Sequence, residues 1–130
     1  MNHRVSLYSV VCATFLVMWP GADAWAGGNA AAGAVIFEED CSECHSINTS
    51  AKNKNGPTLR GVVGRKVGAA PGYDDYSDSV KKSKLIWTVG ELDKYLTNPK
   101  RFSPTIKMKF DGIADAKARA DLIEYLSTKK

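Results

Sequence analysis

Apolar positions recur at helical spacing in three stretches of this chain. Behind Asn29, a residue type that caps helices, Gly33 and Phe37 lie four apart on one face and predict a first helix from about Ala30 into the cysteines at 41 and 44. Thr88-Val89-Gly90-Glu91 is a capping box that leads into Leu92, Tyr95 and Leu96, and Pro99 stops it. A third helix begins near Asp115, where Ala118, Leu122, Tyr125 and Leu126 mark an apolar stripe. Ser77 offers a cap for one short turn through Val80. From Ser46 to Tyr73, Gly56, Pro57, Gly61, Gly64, Gly68, Pro71 and Gly72 interrupt any longer element. No period-two run is long enough for a convincing strand. The expectation is an all-α single domain of about four to five short helices, with long loops that make sense only if wrapped around something. Small Gly33 beside bulky Phe37 also predicts that the first and last helices cross at close range, with Leu122 and Tyr125 opposite.

The leading segment has a different pattern. Met1-Asn2-His3-Arg4 is a short basic start, Val5 to Trp19 is mostly apolar, and Ala22-Asp23-Ala24-Trp25-Ala26 offers two overlapping small-x-small cleavage sites. Residues 1–26 therefore read as a secretory signal peptide cleaved after Ala24 or Ala26, and 27–130 as the domain. The alternative is an uncleaved membrane tether, but the run is 15 residues against the ~20 a spanning helix needs. Such a leader would deliver the protein to the periplasm.

Cleavage leaves 104 residues carrying 17 Lys and Arg against 13 Asp and Glu, a net charge of +4. So mild an excess implies little unless clustered, and a nucleic-acid partner is not expected. Nothing after Ala26 is long or apolar enough for stable membrane insertion.

Losing the leader changes the chemical inventory more than the size. Cys12, His3, Met1 and Met18 go with it, leaving Cys41, Cys44, one histidine, His45, and one methionine, Met108. Cys41-Ser42-Glu43-Cys44-His45 is the C-x-x-C-H pattern, in which two thiols can bond to the vinyl groups of a haem and the imidazole can ligate its iron. A thioredoxin-like redox pair would need a strand before the first cysteine and a helix starting at it. A structural zinc site would need four ligands, where three lie nearby. Met108 sits in the loop Pro104 to Ile113 between two predicted helices. A methionine beside Phe110 is often simple packing. With the haem motif upstream, no competing histidine and Pro104 ahead, the ligand reading is preferred, since a thioether is a soft neutral donor that favours reduced iron.

The chain resembles a class I cytochrome c, close to the short soluble cytochromes of mitochondria and of the bacterial periplasm. The resemblance runs from Gly33 and Phe37 through the haem motif, Gly56-Pro57, Leu59, Gly61, Gly64-Arg65-Lys66, Tyr76, Trp87, Tyr95, Asn98-Pro99, Met108, Phe110-Asp111-Gly112-Ile113 and Leu122 to Tyr125. It implies one covalent haem c per chain, bonded by Cys41 and Cys44 and ligated by His45 and Met108. It further implies that the Pro57 carbonyl accepts the ring N–H of His45, that Arg65, Tyr76 and Trp87 donate to the haem propionates, and that the Tyr95 hydroxyl approaches the Met108 sulfur.

The resemblance also implies a soluble monomeric one-electron carrier, not an enzyme, serving respiratory or dehydrogenase partners. Lys54, Lys100, Arg101 and Lys107 would surround the exposed haem edge and steer partners with acidic docking surfaces. Glu38-Glu39-Asp40 with Glu43 is the opposing feature, acid where mitochondrial relatives tend to be basic. The expectation is a dipolar molecule, against the alternative that both runs are only solvated surface. The competing function is a haem enzyme or gas sensor with a displaceable methionine. Two departures bear on it. Thr105 and Ile106 stand where the family has Gly and Thr, so a propionate donor is lost, Thr105 would resist a positive φ if the loop required one, and a weakened iron–Met108 bond is expected. Tyr73-Asp74-Asp75-Tyr76 is one residue longer than usual.

Overall fold

The computed structural model describes residues 27–50 and 52–130, and the leader expected at 1–26 lies outside them. Five helices follow one another: α1 (Ala30–Asp40), α2 (Asp78–Lys81), α3 (Val89–Thr97), α4 (Pro99–Phe102) and α5 (Ala116–Ser127). Among the described residues the only extended pairing is an isolated antiparallel bridge between Lys66 and Ile86, so the fold is all-α.

The helices start where side chains can take up their unpaired N–H groups. Asn29 accepts from Ala31 and Ala32, Thr88 from Glu91, and Asp115 from Lys117 and Ala118. Only half of the Thr88 box forms, because the Glu91 carboxylate turns to Lys94 at 2.7 Å. Ser77 occupies the cap position of α2, but its hydroxyl accepts no backbone N–H of that turn. α4 is absent from the sequence expectation. α3 does end just ahead of Pro99, with Asn98 extended. Pro99 is also the first residue of this short helix, a position where its missing N–H costs nothing, and Asn98 caps it through Arg101.

α1 packs on α5, and α3 packs on α5 and α4. At the α1–α5 crossing, a Cβ on Gly33 would run into the Asp121 carbonyl and sit 2.8 Å from the Tyr125 Cβ. Only glycine allows that approach. The opposing residues are thus Asp121 and Tyr125, one position off the expected Leu122. The Phe37 and Tyr125 rings meet with centroids 5.7 Å apart. Phe37, Ile47, Val62, Leu92, Leu96, Leu122, Ile123 and Leu126 form the core.

Two charged residues of α5 are buried within this frame. Asp121 accepts the Asn29 N–H at 2.6 Å and Lys117 at 2.7 Å, and those two donors hold its carboxyl below the usual range. Arg119 donates to Asp93 of α3 at 2.7 Å and to the carbonyls of Ile113 and Ala114 at 2.9 and 2.8 Å.

Candidate functional site

The loops of residues 41–76 and 103–113 close over α3 and leave a cavity of about 450 Å³. Leu59, Val62, Leu92, Leu96, Ile106 and Phe110 give it apolar walls. Cys41, Cys44, His45, Pro57, Arg65, Tyr76, Trp87, Tyr95 and Met108 all line it, although they span almost 70 positions of the chain. A second cavity, about 390 Å³ between Gly28 and Ala120, holds neither cysteine nor histidine.

α1 stops at Asp40, and the chain turns through the motif, with the N–H groups of Cys44 and His45 both donating to the Cys41 carbonyl at 3.1 and 2.9 Å. A helix ending before the first cysteine is the reverse of the thioredoxin arrangement. Burial, reinforced by Asp40, pushes the Cys41 thiol up to about 12, whereas a reactive redox pair needs a lowered value. Among the described residues no three His, Cys, Asp or Glu side chains gather as a metal site, where structural zinc takes four ligands.

The His45 Nδ1 lies 2.7 Å from the Pro57 carbonyl. A carbonyl can only accept, so Nδ1 carries the proton and Nε2 keeps its lone pair. Burial lowers the imidazole pKa against the opposing pull of the Pro57 bond, which favours the neutral, ligating form. Gly56 packs against the ring face: a Cβ there would fall 2.5 Å from Cε1 and 2.8 Å from Nδ1.

Across the cavity the Tyr95 hydroxyl donates to the Met108 sulfur at 3.8 Å. Burial raises the Tyr95 pKa, so the phenol remains a donor. Its ring meets Trp87 edge-on at 4.8 Å and Phe102 at 5.3 Å. Phe102, which belongs to the unanticipated α4, backs these two lining rings. Thr105 shows none of the expected strain, since no residue other than glycine has positive φ among those described. Ile106 lines the cavity as an apolar residue without a donor, as its side chain dictates.

The polar end of the cavity consists of donors. Arg65 spends two of its N–H groups on the carbonyls of Thr58 and Arg60, at 2.8 and 3.0 Å, and no carboxylate pairs with it among the described residues. Tyr76 accepts from the Ala70 N–H at 3.0 Å, which leaves its own proton to give. The Trp87 indole N–H makes no hydrogen bond among the described residues and lines the same space. A half-buried cation beside two spare donors suits an anion. Two thiols, a neutral imidazole and a thioether around an apolar hollow, with carboxylate-binding donors at one end, fit a haem with its two propionates.

Three of the four basic residues expected around the haem edge have partners. Lys100 pairs with Asp111 at 2.6 Å, Lys107 pairs with Asp75 of the longer 73–76 segment, and the Lys54 ammonium donates to the Ser42 carbonyl at 2.6 Å. Glu38, Glu39, Asp40 and Glu43 are exposed and make no ion pair among the described residues.

Residues 30–130 match the sequence model of the family described as Cytochrome c. The chain is 44% identical over 99 residues to cytochrome c type-1 of Ascaris suum, covering 76% of this chain and 87% of the relative. It is 44% identical over 106 residues to a cytochrome c of Gibberella zeae, covering 80% and 99% of the two chains. With cytochrome c2 of Rhodomicrobium vannielii it shares 42% identity over 113 residues, 87% of this chain and 88% of that one.

Proposed function

Because the chain belongs to the class I c-type cytochrome family, whose members carry electrons on one covalent haem c, we propose that His45 and Met108 close both axial positions of its iron. Cys41 and Cys44 hold the porphyrin through thioethers. A haem c bound here supplies an iron that takes up and returns one electron.

Each surrounding residue has a definite task in this reading. Pro57 fixes the His45 tautomer and ring angle through the 2.7 Å bond to Nδ1. Tyr95 donates to the Met108 sulfur and orients it. Arg65, Tyr76 and Trp87 neutralise and anchor the propionates, and the walls from Leu59 to Phe110 exclude water. With both axial sites filled, exchange of an electron through the haem edge is the remaining chemistry.

The observation that carries the proposal is the 3.8 Å contact between Tyr95 and Met108 in the same cavity as His45. Absorption spectra of reduced and oxidised protein, with and without carbon monoxide, test it. Low-spin bands in both states, unchanged by carbon monoxide, are expected; a carbon monoxide shift would show an open position and overturn it.

The carrier is exported and works as a monomer in the periplasm, its leader of residues 1–26 removed. The basic start and apolar run support export, the bacterial c2 relative supports the compartment, and no helix among the described residues is long and apolar enough to cross a membrane. Large exposed apolar side chains among the described residues are few, namely Val35, Leu85 and Ile86, which supports the monomer. Partners with acidic docking surfaces meet Lys54 and Arg101, while the ion pairs of Lys100 and Lys107 moderate the steering.

A further inference from the structure

Ser103 is fully buried, so its hydroxyl must find a partner inside the protein. It lies within hydrogen-bond reach of the exposed Ser79 hydroxyl and 3.4 Å from that of Ser77, itself buried. Ser77 and Ser79 are 3.3 Å apart, and Ser79 reaches the Thr105 hydroxyl at 3.4 Å. These groups come from two stretches 24 to 26 residues apart: the start of α2 and the loop that carries Met108.

Beyond these hydroxyls, side chains hold that loop through the Tyr95 bond to the Met108 sulfur and the exposed Lys100–Asp111 pair, and its own backbone adds little. The Ile106 N–H closes a turn onto the Ser103 carbonyl at 3.0 Å, with Pro104 fixing the turn's first corner. The next backbone bond joins Ile113 to the Leu96 carbonyl at 2.8 Å. Among the described residues no backbone hydrogen bond anchors the span between them, in which Met108 sits. No backbone bond joins the loop to the α2 stretch either, and the one ion pair that does, Lys107 to Asp75, is exposed on both sides and so weak.

Resting on the reading of Met108 as a ligand, we propose that Ser77, Ser79 and Ser103 form a hydroxyl clasp that positions the Met108 loop and sets how readily the sulfur is displaced. The clasp fixes the loop at Ser103, five residues ahead of the ligand. It holds the loop from the cavity wall at Ser77 outward to Ser79 and Ser103, a hold that Ile106, lacking a donor, cannot supply. Ser79 and Ser103, which do not line the cavity, are positioning residues.

The test compares the haem-loaded wild-type protein with S79A, S103A, S79T and the double alanine variant. Imidazole is titrated as a competing ligand while the far-red methionine-to-iron charge-transfer band is followed, and hydrogen exchange is read across residues 104–111. Losing one hydrogen bond to a buried hydroxyl should tighten imidazole binding about tenfold in S79A and in S103A and speed exchange in the loop. S79T, which keeps the hydroxyl, should match the wild type, and the double variant should be no weaker than either single one. D121N, which loosens the distant α1–α5 contact, should leave the imidazole affinity unchanged. Ser79 is exposed, so S79A decides the matter even if S103A does not accumulate. Unchanged imidazole affinity in S79A, or an equal rise in D121N, overturns the clasp alone. A wild-type protein without the charge-transfer band overturns Met108 ligation and the clasp with it.

Discussion

Replacing Gly56 with alanine adds one methyl group against the face of His45. Gly56 is not among the glycines with positive φ, so alanine meets no backbone penalty and the effect is purely steric. The new Cβ would lie 2.5 Å from Cε1, 2.8 Å from Nδ1 and 3.1 Å from Nε2. Ordinary carbon contacts begin at about 3.5 Å, so the ring or the 55–57 backbone must move by roughly 1 Å. The backbone is pinned by the Gly56 N–H to the Cys44 carbonyl at 2.9 Å, so the imidazole yields and strains its bond to Pro57. Overpacking costs about 1–3 kcal/mol, and the weakened hydrogen bond adds about 1 kcal/mol. For a domain of about 100 residues this lowers Tm by roughly 10–25 °C. Gly90→Ala is the matching control. Nothing lies within 4 Å of a Cβ there, in the exposed first turn of α3, and the same substitution should stabilise by up to about 1 kcal/mol. Thermal melts of the two haem-loaded variants therefore move in opposite directions. An unchanged Tm for Gly56→Ala would refute the claim that the glycine exists to seat the imidazole.

Gly33→Ala should be worse still, because the methyl meets the α5 backbone; loss of the near-ultraviolet dichroism of Phe37 and Tyr125 would report the parting helices, and a native spectrum would contradict it. Arg119→Met strands Asp93 and the carbonyls of Ile113 and Ala114, and should cost about 3 kcal/mol in denaturant unfolding; Arg119→Lys recovers only part, since a lysine cannot fork to three acceptors. The Asp121 pKa is lowered in the folded state, so its contribution is fully present above the unfolded value of about 3.9 and disappears as pH falls through the folded value. Asp121→Asn should therefore flatten the acid limb of a plot of Tm against pH, and an unaltered limb would remove Asp121 from the account.

Helix starts were legible because capping is local chemistry. Asn29, Thr88 and Asp115 each accept from N–H groups two or three residues on, and nothing distant is needed to foresee it. The haem motif was legible for a related reason, since residue type and order alone carry its chemistry. What escaped depends on contacts the chain order hides. Arg119 looks like one more surface charge of a helix until Asp93 arrives from 26 positions away. Ser79 and Ser103 are unremarkable singly and acquire meaning only as neighbours. The α4 turn was missed because its four residues are too few to show a period, and Pro99 signals a helix start as well as a stop. The paired state of Lys100 and Lys107 could not be read because counting charges says nothing of which acids lie opposite.

The bond from the Asn29 N–H to the Asp121 carboxylate spans 92 positions. Closing a loop that long costs roughly 4 kcal/mol in chain entropy, from the logarithm of its length alone. One hydrogen bond returns about 1 kcal/mol, so the contact cannot form early or by itself. It must arrive together with the whole α1–α5 interface, and folding will be slow because so much of its reward is non-local. Until α5 docks, Gly33 and Phe37 on the inner flank of α1 lack the Asp121 and Tyr125 contacts that cover them. The topology thereby makes α1 and α5, the two ends of the domain, a single cooperative unit.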